Sequence, residues 1–168
     1  ELSISIWVKS TGLNSSPSYG DGGSQYYFSR GDFGNNGFVM STIQGSSPHF
    51  SGTIHSPSMF DNPRIIGIEI NSPVKFNIPH TQWHHLLIIY NGVSVNYYVD
   101  GVLSVSSKYD KNIGVSTSPS VFGKQFYLND ECYVVGMIDD AAIWNRALTD
   151  EEIGNLFTLF YFSMKRKS

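Results

Sequence analysis

The sequence predicts an all-β sandwich with one short helix near the C-terminus. About ten to twelve short segments carry strand character, and polar loops and turns separate them. Asn91-Gly92 and Asp100-Gly101 are strong hairpin signals that join three consecutive strands into an antiparallel meander. Because strands do not alternate with helical segments along the chain, we do not expect a parallel sheet with crossover helices.

The composition fits one globular domain of 168 residues, in which 40% of residues are hydrophobic and only 15% are charged. The net charge of −3 argues against a broad basic surface for nucleic acid. No segment approaches the ~20 consecutive apolar residues that a membrane-spanning helix needs. Cys132 is the single cysteine, which excludes an intrachain disulfide and a cysteine-based metal site.

The first predicted strand, Leu2 to Lys9, has one apolar and one polar face. Ile4, Ile6 and Val8 share the apolar face, and the residues between them share the other. Trp7 is the unusual member of the polar face. Either a loop or a terminal segment covers it, or it lies on a ligand-facing surface.

A polar loop from Thr11 to Gln25 precedes two predicted strands, Gln25 to Ser29 and Phe38 to Ile43. Structureless loops of this length are usually functional or disordered. Between the two strands lies Arg30-Gly31-Asp32, which resembles the tripeptide that integrins recognise. Three residues recur easily by chance, so ordinary turn chemistry is the favoured interpretation.

The middle of the chain holds the most regular strand patterns. Weak strand character lies at His49 to Ile54, and isoleucines recur from Arg64 to Asn71. The segment Gln82 to Tyr90 is largely apolar on both faces, which predicts a central strand covered on both sides. The other two strands of the meander are Val93 to Val99 and Val102 to Ser106.

The last part of the chain predicts a closing strand. Residues 107–123 are predicted to form a polar loop, and short strands are expected at Gln125 to Leu128 and Tyr133 to Val135. The strand from Met137 to Trp144 carries two adjacent aspartates, Asp139-Asp140. On a regular strand, adjacent side chains point to opposite faces, so these carboxylates would not form a catalytic pair.

A short helix is predicted after this strand. Thr149 and Glu152 have the spacing of a capping box, in which each residue bonds a free amide of the first turn. The tail at 158–168 is apolar and then basic, and we expect either a terminal strand or an extension of the helix packed on the sandwich. The predicted division is therefore a domain at 1–157 followed by this tail.

Four blocks in this order resemble a known family. Residues 3–9 read SISIWVK, residues 83–86 WHHL, residues 98–101 YVDG, and residues 136–148 GMIDDAAIWNRAL. This pattern is similar to the laminin G-like domains of the concanavalin A-like lectin/glucanase superfamily. The resemblance implies a jelly roll of two curved antiparallel sheets. Two departures are the missing strand before the first block and the pair Ala141-Ala142 where the family commonly has an aliphatic and a basic residue.

Relatives in this superfamily include glycoside hydrolases, which need two carboxylates about 5–9.5 Å apart across the scissile bond. The paired-carboxylate strand pattern Glu-x-Asp-x-x-Glu does not occur in the sequence, and neither do the hydrolase and metalloprotease motifs. His84 and His85 are adjacent on a strand, so we expect structural roles for them rather than a shared ion. The sequence therefore predicts a module without catalytic residues; a divergent hydrolase is the disfavoured alternative.

The resemblance implies a calcium ion with Asp139 as its side-chain ligand. Calcium prefers carboxylate and carbonyl oxygens that come from separate loops. The alternative is that Asp139 or Asp140 accepts hydrogen bonds from loop amides or pairs with Arg146. Both interpretations are open at the level of the sequence.

Ligand recognition is predicted at the rim loops or the concave sheet face, for a carbohydrate or an extracellular protein. Aromatic platforms and planar polar groups suit sugar hydroxyls. The chain lacks an initiator methionine and begins inside a strand-like segment, which predicts a piece of a larger protein with neighbouring domains as partners. The low charge and the polar loops suggest that this protein is secreted or lies at the cell surface. A structural interdomain module without its own ligand is the alternative. The candidate ligand residues are Trp7, Tyr19, Asp21, Tyr26, Asp32, Asn35 and Asn36.

Overall fold

The fold is a sandwich of two antiparallel sheets with one helix, which confirms the predicted class and is consistent with a jelly roll. A computed structural model describes residues 1–12, 24–32, 35–43, 49–55, 67–75, 82–111, 113, 118–124 and 132–166. At 31–32, 35–36, 43, 55, 67–75 and 164–166 the backbone alone is described.

Ten strands and one helix lie within these ranges. The strands are β1 (Leu2–Ser10), β2 (Ser24–Asp32), β3 (Asn35–Ile43), β4 (His49–His55), β5 (Gly67–Lys75), β6 (His84–Tyr90), β7 (Ser94–Val99), β8 (Val102–Lys108), β9 (Ser120–Phe122) and β10 (Gly136–Trp144). The helix α1 (Asp150–Arg166) follows β10.

Within the described ranges, each sheet has five strands. Sheet A has the order β10-β1-β6-β7-β8, and sheet B has the order β5-β4-β3-β2-β9. All the strand pairs are antiparallel. The first and last strands of the chain are therefore neighbours, and β6 is the centre of sheet A, as its apolar sequence predicts.

The segment before β10 differs from the prediction. Ser120–Phe122, predicted as loop, forms β9 on the edge of β2. Tyr133–Val135, predicted as a strand, forms none. The Val134 amide donates to the Gly123 carbonyl at 2.8 Å, and the Val135 amide donates to the Gln25 side chain at 2.8 Å, so these groups are not available to a strand ladder. The predicted strand at 125–128 lies outside the described residues.

Alternate residues of both sheets point inward and form the main core. Its fully buried members include Ile4, Ile6, Phe28, Met40 and Phe50. This burial confirms the inward face predicted for β1. Gly52 of β4 also faces this core. A Cβ atom at Gly52 would overlap Ile88 Cδ1 and lie 3.0 Å from Tyr97 Cε2, so the position leaves room only for glycine.

The two predicted hairpins are confirmed. In the β6–β7 turn, the Asn91 side chain accepts hydrogen bonds from the amides of Val93 (3.0 Å) and Ser94 (2.8 Å). In the β7–β8 turn, Asp100 and Gly101 have φ angles of 53° and 77°. Two consecutive left-handed residues are what a tight type I′ hairpin requires, and Asp-Gly is among the pairs that adopt it most readily.

Helix α1 lies on the outer face of sheet A. Its start shows the predicted capping box: the Thr149 amide donates to Glu152 Oε2 at 2.9 Å, and the Glu152 amide donates to Thr149 Oγ1 at 3.3 Å. The helix continues for 17 residues to Arg166, so the tail extends the helix rather than forming a strand. Among the described residues, no helix combines the length and apolar character required to cross a lipid bilayer.

Candidate functional site

The outer face of sheet A is covered by α1. Leu87 and Ile89 of β6 pack against Leu148 and Ile153, forming a second, smaller core. Trp7 is 1% exposed and stacks on Phe157 of the helix, with ring centroids 5.8 Å apart and planes 11° from parallel. The prediction that a terminal segment covers Trp7 is therefore correct, and Trp7 is not on a ligand-facing surface.

This covered face also buries polar groups. His85 is fully buried, its Nε2 lies 2.7 Å from Ser5 Oγ, and its Nδ1 has no hydrogen-bond partner among the described residues. Burial lowers the pKa of His85 to about 4, although the nearby Asp100 carboxylate acts in the opposite direction. The imidazole is therefore neutral at pH 7. Trp7 Nε1 is likewise buried without a partner in the described part of the chain.

Ser3, another polar residue of this face, fixes the connector between β10 and α1. Its Oγ donates to the Arg146 carbonyl at 2.8 Å and accepts from the Leu148 amide at 3.1 Å. Arg146 itself pairs with Glu152, with Nη1 2.7 Å from Oε2. The serines of β1 thus satisfy buried backbone and ring groups, rather than facing solvent.

His84 has a structural contact on the opposite face of β6. Its Nδ1 lies 2.8 Å from Asp100 Oδ2, and its ring meets Phe50 of sheet B edge-on at 5.5 Å. Asp100 Oδ1 accepts from the His85 backbone amide at 2.9 Å. These bonds hold the β7–β8 turn against β6, which agrees with the structural roles expected for both histidines.

In the described part of sheet B, the outer face carries four small hydroxyl side chains, one valine and one tyrosine. Tyr26, Ser41 and Ser51 are in register across β2, β3 and β4, in positions that alternate with core residues. Ser41 and Ser51 are 3% and 1% exposed, whereas Tyr26 is half-buried. A second row in register consists of Ser29, Val39 and Thr53. We refer to these six residues as the sheet B face.

The predicted ligand residues do not all lie together. Asp32 and Asn35 pair at the end of the β2–β3 hairpin, and Asn36 follows on β3. Tyr26 lies six residues before Asp32 on β2, roughly 20 Å away at the rise of a strand. The side chains of Asp32, Asn35 and Asn36 are outside the described part of the structure, as are Tyr19 and Asp21 altogether.

A β-bulge interrupts β10 at the paired aspartates. Ser5 pairs with Ala142 and Trp7 pairs with Asp139, so Asp140 and Ala141 together oppose one residue of β1. Asp140 has a left-handed φ of 46°. Regular alternation therefore does not describe Asp139 and Asp140, and the expectation that they form no catalytic pair stays a prediction.

The described residues do not test whether calcium binds at Asp139. Asp139 Oδ1 accepts the Asp140 amide at 2.9 Å, and no three acidic, histidine or cysteine side chains gather within the described ranges. Calcium takes about six to eight oxygen ligands. Calcium at Asp139 therefore stays a prediction. The alternative pairing of either aspartate with Arg146 is not observed, because Arg146 binds Glu152.

The contact between Ser5 and His85 has the length of a nucleophile–base hydrogen bond. Both side chains are buried, and the second ring nitrogen has no hydrogen-bond partner within the described ranges. In hydrolases that use a serine nucleophile and a histidine base, a third group orients the histidine through its second ring nitrogen. The described residues show no such third group, and the pair forms a buried hydrogen bond between β1 and β6.

A cleft of about 400 Å³ is lined by residues of both sheets, among them Phe38, which lies two residues after the predicted ligand residue Asn36 on β3. Its volume is in the range of small-molecule sites. It is lined by Glu1, Leu2, Phe38, Tyr90, Gly92, Asp110 and Ile113. Sequence reasoning did not identify this cleft, because its lining comes from distant parts of the chain.

Comparison with known proteins identifies related families and folds. A laminin G-like family model, described as the concanavalin A-like lectin/glucanases superfamily, matches residues 1–154. The human adhesion G-protein coupled receptor D1 is 34% identical over 88 residues. That match covers 50% of this chain and 10% of the receptor.

Two solved binding domains have similar folds. The binding domain of Paraclostridial Mosquitocidal Protein 1 aligns over 95% of this chain and 37% of its own, with a TM-score of 0.70 and 19% identity. The CBM40 domain of the Ruminococcus gnavus IT-sialidase, solved bound to α2,3-sialyllactose, aligns over 93% of this chain and 82% of its own, with a TM-score of 0.68 and 14% identity. At these identities, the likeness is one of fold.

Proposed function

The chain belongs to the concanavalin A-like lectin/glucanases superfamily, and on that premise we propose that it is a non-catalytic binding module for a carbohydrate or an extracellular protein. The proposed site is the sheet B face, centred on Tyr26, together with the rim loops that border β2 and β3. Tyr26 and Thr53, the two partly exposed members of this face, offer an aromatic platform and a hydroxyl group to a sugar or a polar peptide.

The observation that carries this proposal is the contrast between the two outer faces. On sheet A, α1 buries Trp7 and closes the face to ligands. On sheet B, Tyr26 and Thr53 remain partly exposed, whereas Ser29, Val39, Ser41 and Ser51 are buried. The proposal therefore favours sheet B over sheet A as the recognition surface.

The similar proteins support a binding role and an extracellular or cell-surface location. The relatives with this fold include a carbohydrate-binding domain bound to sialyllactose and the binding domain of a toxin. The receptor match is to an adhesion receptor. We extend these properties to this chain as part of the proposal, with a larger parent protein supplying the neighbouring domains.

A glycan array that compares two tyrosine variants tests the site. Tyr26→Ala should lose binding to any glycan that the wild-type domain retains, because the aromatic platform is removed. Tyr133→Ala is the matched control, since Tyr133 is 45% exposed and lies before β10, outside the sheet B face. Equal loss in both variants, or full retention in Tyr26→Ala, would rule out the sheet B face as the glycan site.

A structural interdomain module is the second candidate, and the burial of the sheet B face favours it. Ser41 and Ser51 are almost inaccessible to solvent, so their hydroxyls are not presented to a ligand in the described conformation. If no glycan or extracellular protein binds the wild-type domain, with or without added calcium, the structural role replaces the binding role.

A further inference from the structure

We propose that α1 is an acid-releasable strap, which stays on the outer face of sheet A while the His85 ring is neutral and leaves that face when the ring is protonated. The released state would keep the two sheets folded. This inference is independent of the proposed ligand site on sheet B, because the two surfaces lie on opposite sides of the sandwich.

The strap makes a limited contact with the sheet. Ile153, Leu156 and Phe157 of α1 face sheet A, while Leu159 and Phe162 are 71% and 60% exposed. Leu159 and Phe162 therefore contribute little to docking. Beneath the strap, Trp7 Nε1 and His85 Nδ1 are buried and have no hydrogen-bond partner among the described residues, and unpaired buried polar groups weaken an interface.

His85 is the group that protonation would destabilise. Its ring centroid lies 5.2 Å from that of Trp7 and 6.1 Å from that of Phe157, so two aromatic rings enclose it. Ser5 Oγ contacts Nε2, and Nδ1 faces no acceptor in the described structure. A second ring proton would place a positive charge and an unsatisfied N–H in this apolar layer.

The charged groups around His85 do not compensate for that cost. From β1, Ser5 and Trp7 face the ring, and neither carries a charge. From α1, Phe157 faces it, and the acidic residues of the helix lie in its first turn. Asp100 is the carboxylate that favours the protonated ring, but its two oxygens bond the His85 backbone amide and the His84 ring.

The direction of the pH effect follows from the pKa of His85 in the two states. Burial lowers this pKa from 6.5 to about 4 in the docked state, and a hydrated ring in the released state recovers the ordinary value. Protons therefore bind the released state more tightly. As the pH falls from 7 to 4, the ratio of released to docked helix is expected to rise by about 100-fold.

Release would uncover an aromatic and aliphatic surface. Trp7, Leu87 and Ile89 lie under α1 and the connector that precedes it, beside the polar Ser5 and His85. At neutral pH this surface is closed, and below about pH 5 it would be exposed in a growing fraction of molecules. The domain would thus present different surfaces in neutral and acidic surroundings.

Hydrogen–deuterium exchange between pH 7 and pH 4, corrected for the intrinsic pH dependence of amide exchange, tests the strap. The amides of 153–162 are expected to lose up to about 100-fold of their protection, while β3 and β4 keep theirs. Unchanged protection in the helix would overturn the proposal. Simultaneous loss of protection in the helix and in sheet B would also overturn it, because that result describes global unfolding.

Two variants connect the response to His85. His85→Gln keeps a polar group near Ser5 but cannot be protonated, so the protection of α1 should no longer change with pH. His84→Gln is the matched control on the other face of β6 and should retain the response. If His85→Gln does not fold, Phe157→Ala provides a second test: it weakens docking and should shift the loss of protection to higher pH. An unchanged pH midpoint in Phe157→Ala would contradict the proposal.

Discussion

Replacing Gly52 with alanine is expected to destabilise the domain by overfilling its core. Gly52 lies on β4 and faces the opposite sheet. The added methyl group would overlap Ile88 Cδ1 and lie 3.0 and 3.1 Å from two ring carbons of Tyr97. Ile88 is 1% exposed and Tyr97 is fully buried, so neither side chain has free space into which it can move.

The expected cost is about 1–3 kcal/mol, the usual range when one extra carbon enters a closely packed core. For a chain of 168 residues, each kcal/mol corresponds to roughly 2–4 °C in melting temperature. Gly52→Ala should therefore lower the melting temperature by roughly 2–12 °C. A matching fall is expected in the midpoint of urea unfolding, with an unchanged slope.

Two further variants show whether the contact between the added methyl group and Ile88 causes the loss of stability. Gly154→Ala is the matched control in α1, where an added Cβ meets nothing within 4 Å, and it should stabilise the domain by up to about 1 kcal/mol because alanine favours helix. Ile88→Val removes the overlapping Cδ1. Alone it should cost about 0.5–1.5 kcal/mol, and in the Gly52→Ala background it should cost less or restore stability.

Two results would refute the steric explanation for Gly52→Ala. If Gly52→Ala melts at the wild-type temperature, the inner face of β4 is not packed against Ile88 as described. If the stability lost in the double variant equals the sum of the stabilities lost in the two single variants, the two positions do not interact, and the steric explanation fails.

Further predictions concern the helix cap and calcium. Thr149→Ala removes the hydroxyl that accepts the Glu152 amide and should cost about 1 kcal/mol in urea unfolding, whereas Thr158→Ala, in the helix interior, should change stability much less. If calcium binds Asp139, added calcium will raise the melting temperature of the wild type, a chelator will reverse the rise, and Asp139→Asn will show neither effect. If neither calcium nor the chelator changes the melting temperature, calcium does not bind at Asp139.

Local chemistry made much of the architecture predictable. Asp100-Gly101 predicted a two-residue hairpin because few other pairs tolerate two left-handed residues, and the φ angles agree. Thr149 and Glu152 predicted the start of α1 for a similarly local reason. In both places, the determining atoms lie within a few residues of one another, so the sequence contains the whole interaction.

Features that depend on contacts between distant segments were harder to predict from the sequence. The polar face of β1 suggested solvent, yet Ser3, Ser5 and Trp7 are buried because α1, from the other end of the chain, covers them. The bulge at Asp140 depends on the register between β1 and β10, which single-strand alternation does not reveal. Candidate ligand residues that are close in sequence are separated in space, since each strand residue adds about 3.3 Å.

The pairing of the first strand with the last has a consequence for how the chain acquires its structure during synthesis. Ser3 bonds Arg146 across a separation of 143 residues. At roughly 5–20 residues per second, a ribosome needs about 7–29 s to make the residues between these partners. Throughout that interval one edge of β1 has no partner, so a nascent chain is most vulnerable to chaperone capture, misassembly or proteolysis before β10 emerges. Any early stop codon before β10 would leave the domain permanently in that vulnerable state.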